Sequence, residues 1–223
     1  MKLSTQMSDS FRLGMVLAMA GGFMDAYSYM CRGRVFANAQ TGNMLLLGIS
    51  LADGNKGDAL HYLCPVVAFA TGIFLADFAR MHYKELHLLH WRQIAVMIEI
   101  LVLAGVAFIP LHMNLLANSL TSLACGIQVE AFRKIHGSGI ATTMCIGNLR
   151  SATQNFSEFL HTGEREYGEK CLLYLGIILC FIVGAVIGNR YVKLSGQRAI
   201  FVCSIFLLVA FFMMFMDVKR EEK

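Results

Sequence analysis

Six apolar runs, each close to the length of a membrane-crossing helix, dominate this chain. They lie at about Leu13–Met30, Ala59–Phe78, Ile94–Pro110, Leu115–Phe132, Cys171–Tyr191 and Ala199–Met216. An α-helix rises about 1.5 Å per residue, so about 20 apolar residues cross roughly 30 Å of bilayer hydrocarbon. In hydrocarbon every backbone N–H and C=O must be satisfied within the protein, which leaves helices or closed barrels, and runs this uniformly apolar read as helices. Apolar residues make up 57% of the 223 and charged residues only 15%, against about 25% charged in a soluble domain. The expectation is an all-α integral membrane protein, one membrane domain over residues 1–223 with the lipid bilayer as its partner. Self-association is left open.

Two further segments are polar where a span should be apolar. Residues 36–52 read FANAQTGNMLLLGISLA and leave only about 15 helix-like residues, or roughly 22 Å. Residues 140–160 read IATTMCIGNLRSATQNFSEFL and carry Arg150 at the centre, with Gln154 and Asn155 on the next turn. An arginine at the middle of a lipid-facing span costs about 3 kcal/mol on insertion scales. Both segments therefore read as re-entrant or broken helices, which membrane depth allows where protein or water surrounds them.

The two halves repeat one another. Asp25-Ala26 precedes Asn43 by the same spacing, 18 residues, as Glu130-Ala131 precedes Asn148. Gly42-Asn43 and Gly147-Asn148 share an offset of 105, and Gly72–Asp77 resembles Gly184–Asn189 at an offset of 112. Each half runs span, polar Gly-Asn segment, span, span. The repeats are expected at about 11–110 and 114–217. If the polar segments do not cross, each half holds three spans, and the odd number inverts the second half. If they cross, each half holds four and the halves are parallel. Positive charge favours six spans. That arrangement puts both termini, Arg80–Arg92, Arg133-Lys134 and Arg165–Lys170 in the cytoplasm, with Arg32, Arg34, Arg190, Lys193 and Arg198 on the other side. The last three sit against the charge rule.

Lys2 and Arg12 before the first run, and Ala18-Met19-Ala20 within it, resemble a secretory signal. The long polar lead through Ser8-Asp9-Ser10, and the apolar residues beyond the apparent cleavage site, identify a retained span instead. The seven cysteines hold no C-x-x-C pair and are read as small hydrophobes, so neither a disulfide framework nor a metal site is expected. His82, His87 and His90 with Glu85 are spaced as a solvated loop, and Trp91 beside Arg92 as an interfacial anchor. No basic stripe suggests nucleic acid.

An acid inside the bilayer is a functional candidate, because burying it without a partner is costly. Asp25 ends the first run and Glu130 holds the matching place. Such a carboxylate binds a proton, a cation or a substrate amine. Glu130 has the alternative of pairing locally with Arg133 and Lys134. Glu99 is left among three roles: snorkelling, pairing, or facing a cavity. Gln40, Thr41, Asn43 and Asn148 stand at the starts of the polar segments, where they either cap and pack a short helix or present its N-terminus to an anionic group. Arg150 is an anion clamp, a neutraliser of the acids, or a loop residue. Asp77 is expected to pair with Arg80, and Gly184-x-x-x-Gly188 to form a close helix contact. No nucleophile elbow, P-loop, dinucleotide fingerprint or H-E-x-x-H occurs, so no enzyme and no cofactor are expected.

Gly22-Phe23-Met24-Asp25-Ala26, followed by Val35-Phe36-Ala37-Asn38-Ala39-Gln40-Thr41-Gly42-Asn43, resembles the signature of the YoaK family of bacterial membrane proteins. The likeness continues through Ala124-Cys125-Gly126-Ile127-Gln128, Thr142-Thr143 and Gly147-Asn148, with Ile146 where a threonine is expected. It implies a multi-pass inner-membrane protein, described as a permease with no assigned substrate. From the residues themselves the leading expectation is a small-molecule permease with Asp25, Gln40, Thr41, Asn43, Glu130, Asn148 and Arg150 converging between the halves. The alternative is a non-transporting assembly or lipid-binding protein.

Overall fold

The structure, a computed structural model, describes residues 11–83, 91–133 and 142–221. The readings placed on Lys2, Lys84, Glu85, His87, His90 and Lys134 fall outside the described residues. The helices are α1 (Phe11–Cys31), α2 (Gln40–Ala52), α3 (Lys56–Tyr83), α4 (Trp91–Val106), α5 (Asn114–Ala131), α6 (Cys145–Thr162), α7 (Arg165–Ser195) and α8 (Ile200–Glu221). Single 3-10 turns at Leu111–Met113 and Gly196–Ala199 lead into α5 and α8. No strand occurs among the described residues. Two helical stretches, Lys56–His82 and Arg165–Met214, are long and apolar enough to cross a membrane.

The six apolar runs became α1, α3, α4, α5, α7 and α8. The polar segments are helical from Gln40 and Cys145, with residues 32–39 non-helical ahead of α2 and residues 142–144 non-helical ahead of α6. After α1 the reversal is made by Gly33 and Arg34, both left-handed, at φ +85° and +60°. A non-glycine residue in that region is uncommon and costs conformational energy. Gly163, also left-handed at φ +71°, closes α6.

Packing pairs α1 with α7 and α8, α5 with α3 and α4, α4 with α8, α2 with α3, and α6 with α7. Two crossings are built on reciprocal glycines. A Cβ on Gly22 would sit 1.9 Å from the Phe181 carbonyl oxygen, and one on Gly184 2.0 Å from that of Met19. At the other crossing, a Cβ added to Gly72 would run into the Leu123 carbonyl oxygen and one added to Gly126 into that of Phe69. Small residues let backbones touch, which supplies dispersion contact where lipid offers no hydrophobic drive. The expected Gly184–Gly188 face is therefore the α1–α7 seam, with Gly188 against Phe23 and Ala26.

Contacts fix the helix directions. Arg32, after α1, reaches Val106 and Pro110 after α4 and Asn114 at the start of α5. Gln128, late in α5, reaches Leu17, early in α1, so α1 and α5 run antiparallel. His61, early in α3, meets Gly33 O at 3.2 Å. At the opposite end, Arg80 late in α3 lies 3.6 Å from Glu130 late in α5, and Arg92 stacks over Trp91 and Phe132. Trp91 is buried beneath that guanidinium rather than projecting as an anchor.

Candidate functional site

The stretch 32–39 turns back into the bundle. The Asn38 side-chain amide donates to Gly21 O at 3.0 Å, and the Asn38 backbone N–H donates to Asp25 Oδ1 at 2.7 Å. Gly21 is midway along α1, so the chain has returned from the Arg32 end to the middle before α2 begins. Asn43 holds this return. Its amide donates to Phe36 O at 2.7 Å and Gln40 Oε1 at 2.8 Å, and its Oδ1 accepts Phe36 N–H at 3.0 Å. Asn43 is thus a clasp inside the helix, not its cap, and the capping position Ala39 has no side-chain bond. Gly42 leaves room for the Phe36 ring, which a Cβ would meet at 2.7 Å.

The segment before α6 reaches the same level from the Glu130 end. The Gln128 side-chain amide donates to both Leu17 O and Thr142 Oγ1 at 3.2 Å. Thr143 packs on Gly21, whose Cβ would lie 3.1 Å from Thr143 Cγ2. Asn38 and Thr143 therefore flank one residue of α1. They also stand 105 positions apart, the repeat offset.

A cavity of about 620 Å³ opens where the two segments meet. Asp25, Asn38, Gln40, Thr41, Thr143 and Cys145 supply its polar atoms, and Tyr29, Phe36, Met44, Phe69, Ile146 and Phe181 much of its apolar wall. No Arg, Lys or His lines it among the described residues. The Asp25 carboxylate accepts from backbone amides of residues 37–39, in the stretch just ahead of α2, so the chain places its own anion beside that helix start. At α6 the capping position, Met144, likewise has no side-chain bond.

Of the residues singled out from the sequence, Asp25, Gln40 and Thr41 line the cavity. Gln40 turns its amide to Ala37 O and Ser122 Oγ. Asn43 is buried behind the wall, and Asn148 is buried on α6. Glu130 does not join them. It sits 3.3 Å from Arg133 and 3.6 Å from Arg80, which also binds Asp77, in an ion-pair group at the bundle end. Arg150 is exposed on α6 and does not line the cavity; it shares a helix face with Ile146 of the cavity wall and with Thr153, Gln154 and Glu158. The convergence expected of all seven is therefore corrected: Asp25, Gln40 and Thr41 line the cavity, Asn43 lies behind the wall, Asn148 is buried on α6 outside the lining, and Glu130 and Arg150 stand apart.

The sequence reading missed Asn38 and Thr143 as site residues. The 105-residue offset, already in use for Gly42 and Gly147, was the signal that pairs them. It also missed Arg32 as a buried tie and left Glu99 unresolved. Glu99 is completely buried, with neither carboxyl oxygen hydrogen-bonded among the described residues.

The family described as "Protein of unknown function (DUF1275)" matches residues 13–213, nearly the whole chain. The chain belongs to that family. UPF0700 transmembrane protein YoaK of Bacillus subtilis (strain 168) is 26% identical over 183 residues, which cover 77% of this chain and 79% of that protein. The YoaK resemblance carried by the Asp25 and Gly42-Asn43 blocks is thereby sustained. No solved structure matches the chain.

Proposed function

We propose that this chain is a six-crossing bacterial inner-membrane permease built from two inverted halves, with a small-molecule site in the cavity beside Asp25. One observation carries the reading: residues 32–39 ahead of α2 and 142–144 ahead of α6 meet at the middle of α1 on a single cavity, although α1 and α5 finish at opposite ends of the bundle. Irregular backbone at membrane depth belongs where it lines a cavity, and discontinuous helices at a repeat interface are where transporters bind their cargo. Three features support the inversion. α1 and α5 are antiparallel, each half lends its third helix to the other half's first (α3 to α5, α7 to α1), and the glycine crossings recur in both. The relative's description as a transmembrane protein agrees.

The Glu130 end, with Arg80, Arg92, Arg133, Arg165 and Lys170, is the cytoplasmic side by the positive-inside rule, and both termini lie there. Arg32 is wholly buried and hydrogen-bonded, so it is no longer a loop charge counted against this orientation. The largely apolar wall favours one second reading, a lipid-binding protein that does not transport.

Single cysteines at positions 40–44 and 145–149, in a cysteine-free background, test the reading. Water-soluble thiol reagents applied from either side are expected to label positions at the two helix starts. Protection from both sides at every position removes the permease and leaves the lipid-filled alternative.

A further inference from the structure

We infer that the cavity holds a specific site for a monovalent alkali cation, sodium in the first instance, formed by the Asp25 carboxylate, Asn38 Oδ1 and Thr143 Oγ1. The inference rests on the cavity reading above and names the ion that site would take.

All three residues line the same cavity. Asn38 and Thr143 are 1% and 2% exposed, yet Asn38 Oδ1 and Thr143 Oγ1 have no hydrogen-bond partner among the described residues. Buried polar atoms are rarely left unpaired, and such an orphan asks for an explanation. The Asn38 amide cannot simply be turned over. Its nitrogen donates to Gly21 O, and a flip would press one carbonyl oxygen against another. Its oxygen is therefore directed away from the Gly21 carbonyl and has no hydrogen-bond partner among the described residues. Thr143 sits on the other side of Gly21, so the two orphans flank one backbone position.

The charge agrees. Asp25 brings a carboxylate into a wall with no basic side chain among the described residues. The backbone amides of residues 37–39 that it accepts from are neutral dipoles and leave that charge uncompensated by any cation. A residual negative charge beside two spare oxygens suits a hard cation, which takes oxygen ligands. It does not suit an anion. Half-helix ends and unwound backbone are also where transporters hold coupling ions. The three oxygens come from both halves, so a bound ion would tie the two re-entrant segments together through α1.

Thermal unfolding of the purified full-length protein in detergent tests this, in NaCl, KCl, LiCl and choline chloride at one ionic strength. The expected result is a saturable rise in Tm with Na+ that choline does not give. Thr143→Val removes an oxygen that bonds nothing in the protein. It is expected to fold with an unchanged Tm in choline and to need at least tenfold more Na+ for the same shift. Asp25→Asn is expected to abolish the shift. Equal shifts in all four salts, a shift that follows pH and no cation, or a wild-type sodium response in Thr143→Val each overturn the inference. The labelling experiment separates this failure from failure of the permease: an accessible cavity without a sodium response leaves the permease standing.

Discussion

Arg32 Nε donates to the Tyr27 hydroxyl at 2.8 Å, and that hydroxyl donates in turn to the Gln197 carbonyl at 3.1 Å. The remaining nitrogens of the guanidinium reach Val106 O at 3.0 Å, and Pro110 O and Asn114 Oδ1 at 3.4 Å, while Arg32's own carbonyl accepts the Asn118 amide at 2.7 Å. The charge thus rests on carbonyls at the C-terminal end of α4, where the helix dipole is negative. One side chain ties α1 to α4, α5 and the turn before α8. Tyr27→Phe is expected to cost about 1–3 kcal/mol, since it strands a buried donor and an acceptor. Arg32→Lys is expected to cost more, because an ammonium lacks the planar fork that spans these partners. Denaturant or thermal unfolding in detergent reads both. A lysine variant as stable as the wild type would show that charge alone, without the fork, is enough.

The glycine crossings make a graded prediction. Gly22→Ala and Gly72→Ala each drive a Cβ into a backbone carbonyl, so the helices must separate along their whole contact. Neither variant is expected to yield a monodisperse, cooperatively unfolding protein. Gly48→Ala is the control, with nothing within 4 Å of its added Cβ in the middle of α2. It is expected to be neutral or to stabilise by up to about 1 kcal/mol through helix propensity. Size-exclusion profiles and unfolding curves decide, and equal behaviour of all three variants would refute the reading of the crossings.

The helices were legible because hydropathy over a long run is a sum over many residues, and no tertiary detail reverses it. That 36–52 and 140–160 differ from the apolar runs was legible for the converse reason: Gln40, Asn43, Arg150 and Gln154 interrupt them, and their helices start late, at Gln40 and Cys145. The site was legible only in part. Repeat arithmetic places Glu130 opposite Asp25, but the halves diverge in charge around the pair. Arg80 and Arg133 flank Glu130 and draw it into an ion-pair group at the bundle end, whereas Asp25 meets only backbone amides. A sequence offset pairs positions; the neighbours fix what each side chain does. Arg32 was hidden by the same limit, since its partners lie 74 to 82 positions away in sequence.

Glu99 offers a test of a different kind. A carboxyl that is wholly buried with both oxygens unpaired costs free energy, and neutralising it by protonation does not supply the missing bonds. It is close enough to Cys125 of α5 and Cys203 of α8 to act on both electrostatically. Glu99→Met fills a similar volume without the polar atoms. It is expected to leave Tm unchanged or to raise stability by roughly 1–3 kcal/mol. A large destabilisation would mean that Glu99 bonds to something in the folded protein, and uptake unchanged by the substitution would mark it as free of any transport role.

Asn43 and Arg150 separate a clasp from a surface charge, although the sequence presents both as polar residues of a broken helix. Asn43 is fully buried and makes three hydrogen bonds that hold residues 36–40 against the start of α2. Asn43→Ala strands the Phe36 N–H and carbonyl and is expected to cost about 1–3 kcal/mol. Asn43→Asp is expected to be worse: a carboxylate has no donor for Phe36 O or Gln40 Oε1 and would face both as a repelled acceptor. Either change loosens the return that places Asn38 beside Asp25, so the sodium response should weaken along with stability. Arg150 is exposed on α6, and Arg150→Ala is expected to stay within about 0.5 kcal/mol of the wild type with the sodium response intact. The pair is read by unfolding in NaCl and in choline chloride. If Arg150→Ala removed the sodium shift while Asn43→Ala kept it, the clasp would be irrelevant to the cavity and the ion would bind on α6.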